Sequence, residues 1–152
     1  MNEQTKISTI AVNRKARYDY AVLQTYEAGI VLTGTEVKSL RQNKLNMTDG
    51  YGVIRKGEIW LISVHIPEYT QGNINNHDPW RDKKLLLHKN EIRKIKFRVE
   101  EKGLTLVPLS FYLKNGKVKV EIGLAQGKKS YDKREAIAKK DFQRSEDRKV
   151  KL

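Results

Sequence analysis

The chain has 152 residues, no cysteine, and 31 Lys/Arg against 18 Asp/Glu, a formal charge of +13 at neutral pH. That length suits one domain with a core of its own. The absence of thiols excludes disulfides, thiolate metal centres and cysteine catalysis, and it fits a reducing compartment. Residues 128–152 carry ten basic and five acidic side chains, which leaves +8 on residues 1–127. The folded part is therefore basic as well as the tail, and a polyanionic partner is favoured over a neutral metabolite. No apolar run approaches the roughly 18 residues that mark a membrane span, and Met1-Asn2-Glu3-Gln4 opens no signal-peptide core, so a cytoplasmic protein without a membrane partner is expected.

In chain order, residues 1–17 end in Asn13-Arg14-Lys15-Ala16-Arg17 and read as a polar, basic surface lead-in. Alternating Tyr18, Tyr20 and Val22, then Tyr26, Ile30 and Leu32, predict a long strand over residues 18–32 with a bend or bulge at Gly29. Gly29 and Gly34 flank a strand-to-helix passage, where an added side chain is expected to disturb backbone geometry rather than remove a contact. Thr35 is placed to cap a short helix carrying Val37 and Leu40. Strands follow over residues 52–55 and 58–64 across the hairpin turn Lys56-Gly57. Residues 67–84 are turn-rich and read as one long loop. Leu85-Leu86-Leu87 is a short apolar run. Ile92, Ile95 and Val99 then recur at helical spacing, with the start at His88 and Glu91 in the capping-box position. Two strands, residues 105–113 and 118–124, flank the turn Asn115-Gly116. Trp60 and Phe111 occupy strand positions expected to face inward.

Residues 128–152 are basic, hold few apolar side chains and lack proline, so they read as a tail that is disordered when free and turns helical against RNA. The organisation expected is a β-domain over residues 1–126 and a basic tail over 127–152. Five to seven strands with short helices in a small basic chain point to a mostly-β Greek-key barrel of the oligonucleotide-binding type, with an SH3-like barrel as the alternative.

Catalytic and nucleotide-binding signatures do not materialise. Gly34-Thr35-Glu36-Val37-Lys38-Ser39 has Val37 and Leu32 where a phosphate-binding loop needs glycines. His65, His77 and His88 match no zinc spacing, and no nucleophile accompanies His77-Asp78. No enzymatic activity and no cofactor are expected. The candidate RNA-binding residues lie elsewhere. Arg14 and Lys15 lie beside Asn13, and Lys38 and Arg41 share a helix face within reach of phosphates. Glu27 is a carboxylate that would repel RNA unless it accepts hydrogen bonds from base amino groups or 2′-hydroxyls.

These residues resemble a known family. Asn13-Arg14-Lys15-Ala16, Tyr26-Glu27-Ala28-Gly29-Ile30, Gly34-Thr35-Glu36-Val37-Lys38-Ser39-Leu40-Arg41, Asp78-Pro79 through Lys84-Leu85-Leu86-Leu87, and Gly127-Lys128-Lys129 with Asp132-Lys133-Arg134 are similar to small protein B, the bacterial SsrA-binding proteins. The resemblance implies a barrel that binds the tRNA-like domain of transfer-messenger RNA and is delivered with elongation factor Tu to stalled ribosomes for trans-translation. It implies RNA contacts at Asn13, Glu27, Leu86 and His88, where many relatives have Asn in place of His88, with Arg14, Lys15, Lys38, Arg41 and Lys84 nearby. It assigns Lys128, Lys129, Tyr131, Asp132, Lys133 and Arg134 to the ribosomal decoding centre and message channel. A general single-stranded nucleic-acid binder is the rival reading, though it would need several exposed aromatics on adjacent strands. A nuclease would need paired acidic metal ligands.

Overall fold

The computed structural model describes residues 5–70 and 76–128. Seven strands, all in antiparallel pairings, form one sheet: β1 (Ile7–Val12), β2 (Tyr20–Ile30), β3 (Tyr51–Arg55), β4 (Glu58–Ile62), β5 (Lys83–Leu86), β6 (Thr105–Lys114) and β7 (Lys117–Gly127). Helices α1 (Arg14–Asp19), α2 (Gly34–Arg41) and α3 (Lys89–Lys102) are inserted between them. The strand order is β1-β6-β3-β4-β5-β2-β7, and a further β6–β7 pairing joins the sheet back on itself. One edge of β6 pairs with β7 over nearly its whole length. Its other edge is shared, Leu106 meeting Gly52 of β3 while residues from Ser110 to Lys114 meet β1. Pro108, which has no N–H to give a ladder, lies between those two segments and at the register shift of the β6–β7 pairing.

The core fills the inside of this ring. Ala28, Ile59, Leu61, Leu85, Leu106, Phe111, Val120, Ile122 and Leu124 point inward from the strands, and Leu40 of α2 and Ile95 of α3 join them. A smaller cluster lies on the opposite face of β6 and β7, where Ala16 of α1 covers Val107, Leu109 and Ala125. Both faces of the N-terminal half of β6 are thus buried, which its unbroken apolar run allows.

Both hairpin turns take the form their sequences demand: Lys56 and Gly57 have φ of 49° and 75°, Asn115 and Gly116 of 51° and 80°. The helix opening at His88 is present, with the His88 N–H donating to Glu91 Oε1 at 3.1 Å, and Gly103 (φ 61°) ends it in the left-handed conformation.

Several expectations are corrected. The lead-in is structured, residues 7–12 forming β1 and residues 14–19 forming α1, because Asn13 caps that helix through the Ala16 N–H (3.1 Å). Tyr18 is therefore helical and β2 starts at Tyr20. The irregularity in β2 lies between Val22 and Gln24; Gly29 is in regular register, opposite Leu86 and Lys119. The cap of α2 is Thr33, in a reciprocal capping box with Glu36 (Thr33 N–H to Oε1, 2.8 Å). Gly34 follows it with no positive φ, and a Cβ there would meet nothing within 4 Å. β4 stops at Ile62 because Ser63 takes φ of 59°. The loop closes at Asp82, since Lys83 and Lys84 are in β5. Phe111 is inward, but Trp60 alternates with the core residues Ile59 and Leu61 and so faces outward. Gly127, the first residue of the expected tail, pairs with Tyr20 at the end of β7, and the Lys128 N–H donates to Asp19 O at 3.0 Å.

Candidate nucleic-acid interface

Strand alternation puts Glu27 and Gly29 of β2, Lys119 and Glu121 of β7, and Ser110, Tyr112 and Lys114 of β6 on the outer face, opposite the core positions Ala28, Val120, Ile122 and Phe111. Register then aligns them in rows. Leu86, Gly29, Lys119 and Tyr112 are successive cross-strand partners, and Glu27, Glu121 and Ser110 form the adjacent row. Gly29 is required by close approach: a Cβ there would come 3.2 Å from the Leu86 Cβ. Leu86 stays 51 % exposed above it, an apolar surface at the rim of a charged face.

Glu27 and Glu121 lie directly opposite one another, an arrangement that like charges disfavour. Each carboxylate is held by its own partners. Glu121 accepts from Arg17 Nη2 of α1 at 3.2 Å, and Glu27 accepts from the Tyr112 hydroxyl and from Lys114 Nζ at 3.1 Å. The Tyr112 hydrogen bond chiefly, with Lys114 and Lys119 adding to it against the cost of burial, holds the Glu27 carboxyl below its ordinary value. Burial and the same carboxylate push the Tyr112 phenol up. Glu27 is thus an oriented, ionised acceptor ringed by cations.

The other candidates are dispersed. His88 is exposed two residues beyond Leu86, and Arg14 is exposed on α1. Lys15 pairs with Asp49 at 3.4 Å. Asn13 is buried, with its amide donating to Met47 O (3.1 Å) and Pro108 O (2.9 Å), so its side chain ties α1 to the sheet. Arg41 reaches Gly116 O at 3.5 Å, placing the end of α2 beside the β6–β7 turn. Lys38 instead lies 5.5 Å above the Tyr69 ring. Lys84 is the cross-strand neighbour of Trp60 and pairs with Glu58 at 2.6 Å. Of the tail residues assigned to the ribosome only Lys128 falls within the described residues; Lys129, Tyr131, Asp132, Lys133 and Arg134, and the expected disorder-to-helix behaviour, lie outside them.

Arg17, Tyr112, Lys114, Lys119 and Glu121 were not singled out from the sequence. The alternation Lys117-Val118-Lys119-Val120-Glu121-Ile122 marks three of the outward positions near them, but only register brings Tyr112 to Glu27. A buried polar cluster was equally illegible: Glu36, fully buried, accepts from Arg81 Nη2 at 2.6 Å, and buried Lys83 donates to Val64 O (2.9 Å) and Arg81 O (2.6 Å). Burial would raise the Glu36 carboxyl, yet Arg81, the Thr33 N–H and Lys83 together hold it low, while burial lowers the Lys83 ammonium. Buried His77 bridges Thr35 Oγ1 and Ile66 O, at 2.8 Å each. This cluster fastens α2 to the loop before β5. Among the described residues no group of three or more His, Asp or Glu is placed to hold a metal ion.

A basic antiparallel β-protein that presents an oriented carboxylate, a phenol, lysines and an exposed leucine on one sheet face has the makings of a polyanion-binding module. Comparison with known proteins specifies it. Residues 10–152 match the family model described as SmpB protein, and the chain belongs to that family. It is 58 % identical over 139 residues to an SsrA-binding protein of Saccharopolyspora erythraea, covering 91 % of this chain and 88 % of the relative. It is 54 % identical over 151 residues to one of Clostridium botulinum, covering 99 % and 97 %. Among solved structures it is similar to a chain, 50 % identical with a TM-score of 0.68, from work described as "tmRNA-SmpB: a journey to the center of the bacterial ribosome"; the match covers 84 % of this chain and 93 % of that one.

Proposed function

We propose that this protein binds transfer-messenger RNA and acts with it on the ribosome in trans-translation. Family membership over nearly the whole chain carries this reading. The RNA face we assign is the outer surface of β2, β5, β6 and β7. There Glu27 accepts from base amino or 2′-hydroxyl groups, Leu86 and His88 pack on a base or ribose, and Lys114 and Lys119 draw in phosphates. Asn13 serves by fixing α1, which brings Arg17 to this face and leaves Arg14 and Lys15 at its margin. Lys38, Arg41 and Lys84 supply outlying charge.

The closed ring of strands supports an oligonucleotide-binding-type barrel as the architecture. The tRNA-like domain is the part of the RNA held, elongation factor Tu accompanies delivery, the cytoplasm is the compartment, and the protein positions RNA without catalysing a reaction. Among the described residues no helix is long and apolar enough to cross a membrane. The tail, with Lys128, Lys129, Tyr131, Asp132, Lys133 and Arg134, enters the decoding centre and the empty message channel.

The test is a binding comparison of transfer-messenger RNA, its isolated tRNA-like domain and random RNA of equal length, using wild type and Glu27→Ala. A purely electrostatic binder would gain affinity on losing a carboxylate, so weaker binding by the variant supports the face and tighter or unchanged binding overturns it. Equal affinity for random RNA would identify the general single-strand binder instead.

A further inference from the structure

A second surface stands apart from the Glu27 face. β2 pairs with β7 over most of its length but with β5 only at Gly29 and Ile30, so among the described residues the other edge of its N-terminal half has no strand beside it. α3 lies there, where Arg98 Nη1 donates to Gln24 Oε1 at 2.7 Å. Between them is a groove of about 630 Å³ lined by Gln24, Tyr26, Arg93, Lys94, Phe97 and Arg98, with Glu91 at one end.

Helical spacing explains why one of these residues is conspicuous. Ile92, Ile95 and Val99 turn to the core, which leaves Phe97, two positions from Ile95, on the opposite side of α3 and 66 % exposed. A lone exposed apolar side chain is ordinary. Here the ring is set among three cations facing one carboxylate, and Glu91 already accepts from the His88 N–H. Arg93 and Lys94 make no ion pair among the described residues, whereas Lys15, Arg17, Arg55, Arg81, Lys84 and Lys114 all do. Free cations around an exposed aromatic face are what an unpaired nucleotide uses: phosphates for the charges and a base for the ring. A duplex offers the phosphates but no base face. α3 follows directly on its cap His88, so its basic side continues from the Leu86–His88 end of the first face.

We infer that the β2–α3 groove is a second contact for the same RNA, taking an unpaired loop nucleotide with its base stacked on Phe97 and its flanking phosphates on Arg93 and Lys94. This rests on the RNA-binding function proposed above. The experiment titrates the full chain with labelled tRNA-like-domain RNA and with a fully paired hairpin of equal length, after thermal melts show each variant folded. Phe97→Ala should bind the tRNA-like RNA about ten-fold more weakly with the hairpin unaffected. Phe97→Trp should restore binding and Phe97→Leu should not. The pair Arg93→Ala, Lys94→Ala should reduce the salt dependence by about two ion-equivalents. Unchanged binding by Phe97→Ala, full binding by Phe97→Leu, or an equal loss with the paired hairpin overturns the groove assignment alone. Failure of wild type to prefer the tRNA-like RNA overturns the parent reading instead.

Discussion

At the scale of single residues, hydrogen bonding decides what each charge does. Glu27 is legible as an odd carboxylate in a basic chain, but its clamp by Tyr112 and Lys114 sets its charge and direction. Tyr112→Phe should let the Glu27 carboxyl rise towards its ordinary value, measured by NMR titration of the side-chain carbonyl; an unmoved midpoint would show that the phenol does not hold it. Glu36 gives the stability counterpart. Its folded value is depressed, so the Arg81 pairing stabilises the protein above pH 4.5, its unfolded reference, and the contribution disappears as pH falls through the folded value. Lys83 has the opposite sign: its lowered value makes the buried ammonium a cost that is relieved as pH rises towards 10.5. Glu36→Gln removes the carboxylate that pairs with Arg81 and most favours the buried Lys83 charge, and should cost about 3 kcal/mol near neutral pH. Urea midpoints across pH should also show a flatter acid limb for this variant.

At the scale of elements, glycine positions separate backbone freedom from close approach. Gly34 has neither a positive φ nor a neighbour that a Cβ would strike. Gly34→Ala should therefore be neutral or stabilise by up to about 1 kcal/mol, by restricting the unfolded chain. Gly52 is different. It is the β3 residue that registers with β6, and a Cβ would stand 2.8 Å from the Leu106 Cβ. Gly52→Ala should cost about 1–3 kcal/mol by forcing apart the β3–β6 seam, a loss readable as a lower denaturation midpoint. Hairpin turns and the α3 start were legible because their signals are local: two residues with φ above zero, or a carboxylate three residues after a cap. β1 and α1 were not, because Asn13 caps α1 while anchored to Met47 and Pro108, far away in sequence.

At the scale of the whole molecule, the pairing of Gly127 with Tyr20 and the Lys128 N–H bond to Asp19 set where a tail deletion is informative. A chain ending at Lys128 keeps all of β7 and should bind the tRNA-like RNA as wild type does. It should fail to support tagging on stalled ribosomes; normal rescue by that truncation would remove the role proposed for the tail.

Composition, turn chemistry and periodicity are properties of neighbours along the chain, and they determined that the protein is basic, free of thiols and built of antiparallel strands with inserted helices; the family likeness came separately, from five ordered motifs that resemble it. What faces what depends on register, since a shift of one residue turns every strand side chain to the other face. Only the tertiary structure therefore decided that Trp60 points outward, that Asn13 is consumed inside, that Leu86 rides over Gly29, and that Tyr112 and Lys114 reach across the sheet to Glu27.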